Sequence, residues 1–530
     1  MLEIDHVSFA YADAHGHALT DVTLTVNPGE RVVVLGANGS GKSTLARVAN
    51  GSARPLSGSV RVDGEKDGAL VRRVGYVRQD PTSQLVSARV FDEVAFGPAN
   101  LGLTRQEVVS RANEALERCR IEKLADRGTA ELSGGHQQLV AIAGVVAMRP
   151  RYLVLDEICS HLDPLARSEV EGLVDSLVSD GVGVLEMAHD VRSVLCATRV
   201  VVLDGGCVVW DGTPGELLGP ENTPRTALLD DDPCARAISV AARAGADISA
   251  CADPDALAAF AGAQGLESEV LEALGSREAA AATLAGHVLS LAGATVDYDS
   301  IRALDEATFE ASCGVTLVAG LSGSGKTTAA CALAGVLELG SGAALLDGVA
   351  VRPGSVGLAF QRSEDQLFAD TVADDIAFGP RNAGAGEAEV SAAVARAAGE
   401  MGLSEELLAR SPFSLSGGQR RRAALAGLIA LDYGAYVLDE PSVGLDARGR
   451  RLLRELVSGL AQRGASVVLV THAVGEWLSV ADRVVMLRDG RVASSCDAAD
   501  AWSCTAPYAL AGLPAPYEVR VRELLGGRSA

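Results

Sequence analysis

Short runs of aliphatic residues punctuate the chain: "RVVVL" at 31–35, "YLVLD" at 152–156, "GVGVLEMA" at 181–188 and "RVVVLD" at 199–204. Polar residues do not alternate through them, so each reads as a strand buried on both faces of a sheet. Between them lie stretches with helical spacing, such as "RQEVVSRANEALERCR" at 105–120. Strands alternating with helices predict an α/β fold built on a mostly parallel sheet.

The same pattern returns in the second half. Lys42 and Lys326 are 284 residues apart, Gln79 and Gln361 are 282 apart, and Ser133/Ser416, Asp156/Asp439 and His189/His472 are each 283 apart. Five ordered features that keep register define a tandem duplication. The expected division is a first domain over 1–218, a helical linker or extension over 219–293, and a second domain over 294–530 with a C-terminal extension. Ala279 to Val296 carries no formal charge, but its alanine, glycine, serine and threonine content transfers poorly into lipid. It is expected to be a linker helix running into a strand, not a membrane span.

Charge narrows the partners. Lys and Arg number 46 against 69 Asp and Glu, a net charge of −23, which repels phosphate backbones and anionic headgroups. Nucleic acid is therefore not an expected partner. The ten cysteines form no CxxC pair and read as reduced thiols. The amino terminus shows no secretion signal. His15 and His17 in "HGH" are expected to be solvated.

Candidate chemistry sits where strands end. Residues 36–43, "GANGSGKS", follow "RVVVL" and open a helix, which is the context a phosphate-wrapping loop requires. Gly36, Asn38, Gly39, Ser40, Gly41, Lys42, Ser43 and Thr44 are the candidate ATP-binding residues, matched by Gly320, Ser322, Gly323, Ser324, Gly325, Lys326, Thr327 and Thr328. Lys42 and Lys326 are expected at the β- and γ-phosphates, and Ser43 and Thr327 at Mg²⁺. "YLVLDE" and "AYVLDE" end in Asp156–Glu157 and Asp439–Glu440. The aspartates are candidate Mg²⁺ holders and the glutamates candidate bases for the attacking water. Gln79 and Gln361 are expected to sense metal or γ-phosphate. His189 and His472 end strands 33 residues after their aspartates and are expected to be catalytic. Ser133, Gly134, Gly135 and His136 open one helix, and Ser416, Gly417, Gly418 and Gln419 its counterpart, each a natural anion site.

The ordered set of phosphate loop, Gln, "LSGGH" or "LSGGQ", strand-Asp-Glu and histidine resembles ABC-type ATPases, twice. The resemblance implies two tandem P-loop ATPase domains, each with a helical signature subdomain, paired head-to-tail as an intramolecular pseudo-dimer. Each signature would then cover the ATP held by the other domain, so His136 would bear on the ATP of Lys326. Asp163 and Asp446 match the D-loop aspartate. Tyr11 matches the aromatic that stacks on adenine, and Tyr298 matches it loosely. Ile158 and Cys159 depart from the Pro-Ser that Pro441 and Ser442 keep, and Val443 stands where the first copy has Ser160. These departures bear on the kinetic symmetry of the two sites and not on ATP binding.

"QDPTSQLVSARVFDEVAFGPANLGL" at 79–103 and "QRSEDQLFADTVADDIAFGPRNAG" at 361–384 resemble the ATPases of energy-coupling-factor importers. That resemblance implies a transmembrane coupling subunit and a substrate-binding membrane subunit as partners, a micronutrient as cargo, and a place on the cytoplasmic face of the membrane. Gln84-Leu85 and Gln366-Leu367 would face the coupling subunit, with Asp92, Glu93, Asp374 and Asp375 as an acidic receiving surface. The alternative is a tandem ABC ATPase acting on ribosomes or nucleic-acid machinery.

Overall fold

The computed structural model describes residues 1–11, 16–66, 70–160, 162–219, 229, 231–277, 286–298 and 301–526. The chain forms two compact units, Met1–Ala273 and Leu274–Ala530.

In the first unit the apolar runs form a six-stranded sheet. Its spatial order is Cys207–Gly212, Arg199–Asp204, Arg31–Leu35, Gly183–Ala188, Tyr152–Asp156, Val74–Val77. All neighbours are parallel except the edge pair formed by Cys207–Gly212 and Arg199–Asp204. Burial on both faces explains the unbroken apolar runs: Leu153 and Leu155 point into the core beneath the helical layer, Tyr152 and Val154 into the opposite core. That opposite core is closed by a four-stranded antiparallel sheet of Leu19–Val26, Leu2–Phe9, Ser57–Val62 and Glu65–Lys66.

The helical layer carries Val90–Asn100, Arg105–Arg118 and the signature helix Gly134–Val146. Thr104 and Glu107 close a capping box on the second of these, which stops the expected helix at its N-terminal end. The stretch after the sheet forms helices Pro233–Arg243, Pro254–Gln264 and Glu267–Ala273, which belong to the first unit.

The second unit repeats the plan. Its six-stranded sheet runs Arg491–Asp497, Arg483–Arg488, Gly314–Ala319, Ser466–Val470, Ala435–Asp439, Gly357–Ala359, the same order at corresponding positions. Leu289–Tyr298 pairs with Ile301–Ala311 and Ser341–Leu346 in the accompanying antiparallel sheet. Of the uncharged stretch, 279–285 lie outside the described residues and 289–296 are strand. No helix among the described residues is long and apolar enough to cross a membrane. The C-terminal extension is three short helices; Arg522 on the last packs over the Trp502 ring and donates to the carbonyls of Leu274 and Gly275.

Candidate nucleotide site in each unit

Each phosphate loop joins the central sheet strand to a helix whose first residue is the lysine, Lys42–Ala49 and Lys326–Leu333. The turn depends on glycine at the helix start. Gly41 has φ 105° and Gly325 φ 98°, and a Cβ would meet Ala18 O at 2.6 Å or Ala303 O at 2.4 Å. Asn38, Gly39, Ser322 and Gly323 are exposed on the loops, while Ser40 and Ser324 are buried.

The lysines fold back onto their own loops. Lys42 Nζ donates to Gly36 O at 2.7 Å and Ala37 O at 3.2 Å, and lies 3.5 Å from Glu157 Oε1. Lys326 Nζ donates to Gly320 O and Leu321 O, both at 2.9 Å. The ammonium therefore sits in the cradle that the loop offers to phosphate.

Ser43 Oγ donates to Asp156 Oδ1 at 3.1 Å, and the Thr327 hydroxyl lies near Asp439 and favours its charged form. A hydroxyl and a carboxylate meeting beside a phosphate loop are hard oxygen donors that fit Mg²⁺. Burial raises the pKa of both aspartates. For Asp439 the value reaches about 6, with Glu440 adding to the rise and the Thr327 hydroxyl and Lys326 opposing it. A bound divalent cation would restore the charged carboxylate.

The glutamates take an unusual backbone. Glu157 has φ 50° and Glu440 φ 48°, left-handed values that cost a non-glycine residue about 1 kcal/mol. Their N–H groups still bond the neighbouring strand, at Met187 O (3.1 Å) and Val470 O (2.8 Å). The kink turns each side chain toward the site. Nothing in "VLDE" announces it, because glutamate has no special liking for that conformation.

Around the two glutamates the units diverge. Glu157 accepts from Gln79 Nε2 at 3.1 Å, with His189 Nδ1 at 3.9 Å. Glu440 is gripped by His472, whose Nδ1 is 2.6 Å and whose backbone N is 3.0 Å from Oε1, and by Thr471 Oγ1 at 3.3 Å. Gln361 is exposed, and Arg421 holds its carbonyl together with that of Val443. Thr471, Arg421 and Arg167 were not singled out in the sequence. Arg167 lies on the helix that Asp163 caps and pairs with Asp190 at 2.7 Å, next to His189. Its motif-free position gave no signal.

The signatures cap their helices differently. Ser416 Oγ accepts from Gln419 N at 3.4 Å, and Gln419 Oε1 accepts from Ser416 N at 3.0 Å, a full capping box. Ser133 Oγ likewise accepts from His136 N, but His136 Nδ1 stands 2.9 Å from that same hydroxyl. Ser133, Gly134 and His136 are exposed, as are Ser416 and Gly417.

Tyr11 OH is 3.0 Å from Thr44 Oγ1, and its ring is 43% exposed, open for stacking. Tyr298 is exposed at the end of its strand. His17 is exposed; His15 lies outside the described residues. The acidic surface needs correcting. Glu93 is buried and accepts from the backbone N of Val86 (2.9 Å) and Ser87 (2.6 Å); Asp375 accepts from Phe368 and Ala369 (3.2 and 3.1 Å). Both carboxylates hold their loops, because unpaired loop N–H groups need acceptors. Asp92 and Asp374 remain exposed, the latter paired with Arg381.

The sequence profile described as ABC transporter matches residues 19–160 and 304–443. The chain belongs to the ABC transporter family. Both units are ABC ATPase cassettes, of the kind that binds and hydrolyses ATP. A Caldanaerobacter subterraneus protein, assigned as a candidate ABC transporter ATP-binding protein, is 31% identical over 92% of this chain and 90% of its own length. A Bifidobacterium longum protein with the same assignment is 34% identical over 91% of this chain. The chain spans 64% of that relative's length. One ABC cassette alone is 43% identical, over 41% of this chain and 80% of the relative, to an energy-coupling factor transporter ATP-binding protein of Lacticaseibacillus paracasei.

Proposed function

We propose that this chain is the ATP-hydrolysing subunit of an energy-coupling-factor type importer, with both ATPases fused in one polypeptide. The observation that carries the catalytic part is the placement of Glu157 and Glu440, each kinked toward its phosphate loop beside a metal-type aspartate. Lys42 and Lys326 hold β- and γ-phosphate oxygens, and Ser43, Asp156, Thr327 and Asp439 hold Mg²⁺, with Gln79 and Gln361 as the flanking amides. Mg²⁺, when bound, supplies positive charge against the phosphates. Glu157 and Glu440 orient and deprotonate water, with His189 and His472 beside them. The signature residues Ser133, Gly134, Gly135 and His136, with Ser416, Gly417, Gly418 and Gln419, are further nucleotide contacts in this reading.

The importer part is supported by the half-chain relative and by the paired loops after Gln79 and Gln361. Glu93 and Asp375 hold these loops beside exposed Val86, Phe96, Phe368 and Phe378. Exposed apolar groups on a carboxylate-stiffened loop and the helix that follows it suit a membrane subunit as partner. The cargo is a micronutrient, a vitamin or transition-metal ion, selected by a separate membrane subunit, and the chain works at the cytoplasmic face. Solubilising native membranes and identifying what co-purifies with the tagged chain tests this reading. Two hydrophobic subunits are expected; ribosomes in their place would overturn it.

A further inference from the structure

Arg47 lies on the phosphate-loop helix of the first unit and faces the strand Val74–Val77. Its guanidinium reaches Tyr11 OH at 3.4 Å and lies near enough to the Tyr76 hydroxyl for the two to interact electrostatically. Tyr76 OH in turn donates to Asp156 Oδ2 at 3.0 Å, while Oδ1 of the same carboxylate receives Ser43 Oγ at 3.1 Å. Both oxygens of the carboxylate are thus claimed, one by the hydroxyl beside the phosphate loop and one by the phenol behind it. A phenol with a guanidinium nearby donates its own proton more strongly.

Folding alone does not call for this arrangement. In the second unit the equivalent strand position is Leu358, paired with Val437 as Tyr76 pairs with Val154, and the equivalent helix position is Cys331. Leu358 has no donor, and Cys331, which feels the charge of Asp439, offers only a weak S–H. An aliphatic residue therefore fills that place in the same fold. The hydroxyl of Tyr76 adds something beyond packing.

We propose that Tyr76, backed by Arg47, is a positioning residue that fixes Asp156 for the divalent cation on ATP, making the first unit the tighter metal site of the two. The proposal rests on the phosphate loops being Mg–ATP sites. A partner that orients a metal-holding group commonly governs metal affinity about as strongly as the group's own chemistry does.

The test uses the full chain with Lys326→Ala, so that only the first unit binds nucleotide. Affinity for a fluorescent ATP analogue is measured with Mg²⁺ and again in EDTA, and the ratio reports how strongly metal and nucleotide support each other. Tyr76→Phe, which removes one oxygen and keeps the ring, is expected to lower that ratio about tenfold while leaving the EDTA affinity unchanged. Arg47→Met is expected to lower it less, by about threefold, since the phenol remains. An unchanged ratio in Tyr76→Phe overturns the proposal, as does an equal loss with and without metal, which marks a purely structural role. A Lys326→Ala chain that binds no nucleotide at all, with Lys42 intact, instead overturns the Mg–ATP reading beneath it.

Discussion

His472 Nδ1 stands 2.6 Å from Glu440 Oε1, whereas the matching pair in the first unit, His189 Nδ1 and Glu157 Oε2, is 3.9 Å apart. Glu440 is held by its histidine, Glu157 by the Gln79 amide at 3.1 Å. A group that orients the base controls the rate through geometry. Glu157→Gln and Glu440→Gln are each expected to slow phosphate release. His472→Ala should cost more than His189→Ala, about tenfold more in kcat. The reverse order would show that the geometry seen here is not the working one.

The two signature serines differ in what occupies their hydroxyls. Gln419 turns its side chain to the backbone N of Ser416, while His136 engages Ser133 Oγ itself at 2.9 Å. His136→Gln should rebuild the capping box and release the hydroxyl. Measured in a Glu157→Gln chain, where Glu440 supplies the remaining base, turnover should rise about fivefold, the worth of one hydrogen bond near 1 kcal/mol. No change would show that the hydroxyl is not limiting.

Asp190 follows His189, accepts from Arg167 at 2.7 Å and caps the next helix through Ser193 N at 3.1 Å. Burial by itself would raise its pKa, but Arg167, with His189 adding to it, holds the carboxyl far below the usual range. A depressed folded-state pKa means the contribution is complete above the unfolded value near ~3.9 and fades as pH falls toward the folded one. Asp190→Asn should therefore lower unfolding stability by about 2 kcal/mol at pH 7, with the gap constant to about pH 5 and closing only in stronger acid. Urea unfolding across that range checks it. A gap that closes between pH 7 and 5 would assign the effect to another group.

Glu93 binds the N–H groups of Val86 and Ser87 through one oxygen, Oε2. Glu93→Gln should loosen this loop, raising amide exchange at 86–87 about tenfold, and should weaken capture of the membrane subunits. Asp92→Asn, at an exposed site, should leave exchange there unchanged. If Asp92→Asn weakens capture and Glu93→Gln does not, surface charge, not loop shape, recruits the partner.

Much of this protein is legible as pattern. The apolar runs named four strands of the first unit's six-stranded sheet, because strands buried on two faces cannot alternate. The 283-residue offset named the duplication, and the loop glycines, Lys42, Lys326, Asp156, Asp439, Glu157 and Glu440 followed from local rules of phosphate and metal binding. Those features depend on neighbours a few residues away.

What only the tertiary structure decided depends on how the elements turn and pack against one another. Tyr76 reads as one aromatic in a strand until parallel pairing with Tyr152–Asp156 sets it beside a carboxylate 80 residues on. Glu93 reads as surface charge until the turn of its helix points it at the backbone of residues 86 and 87. Matching histidines at matching offsets end at 2.6 and 3.9 Å from their glutamates. Spacing along a chain determines which strand end a residue occupies. The partner its polar atoms meet there is settled by packing, because hydrogen bonds form or fail within a few tenths of an ångström.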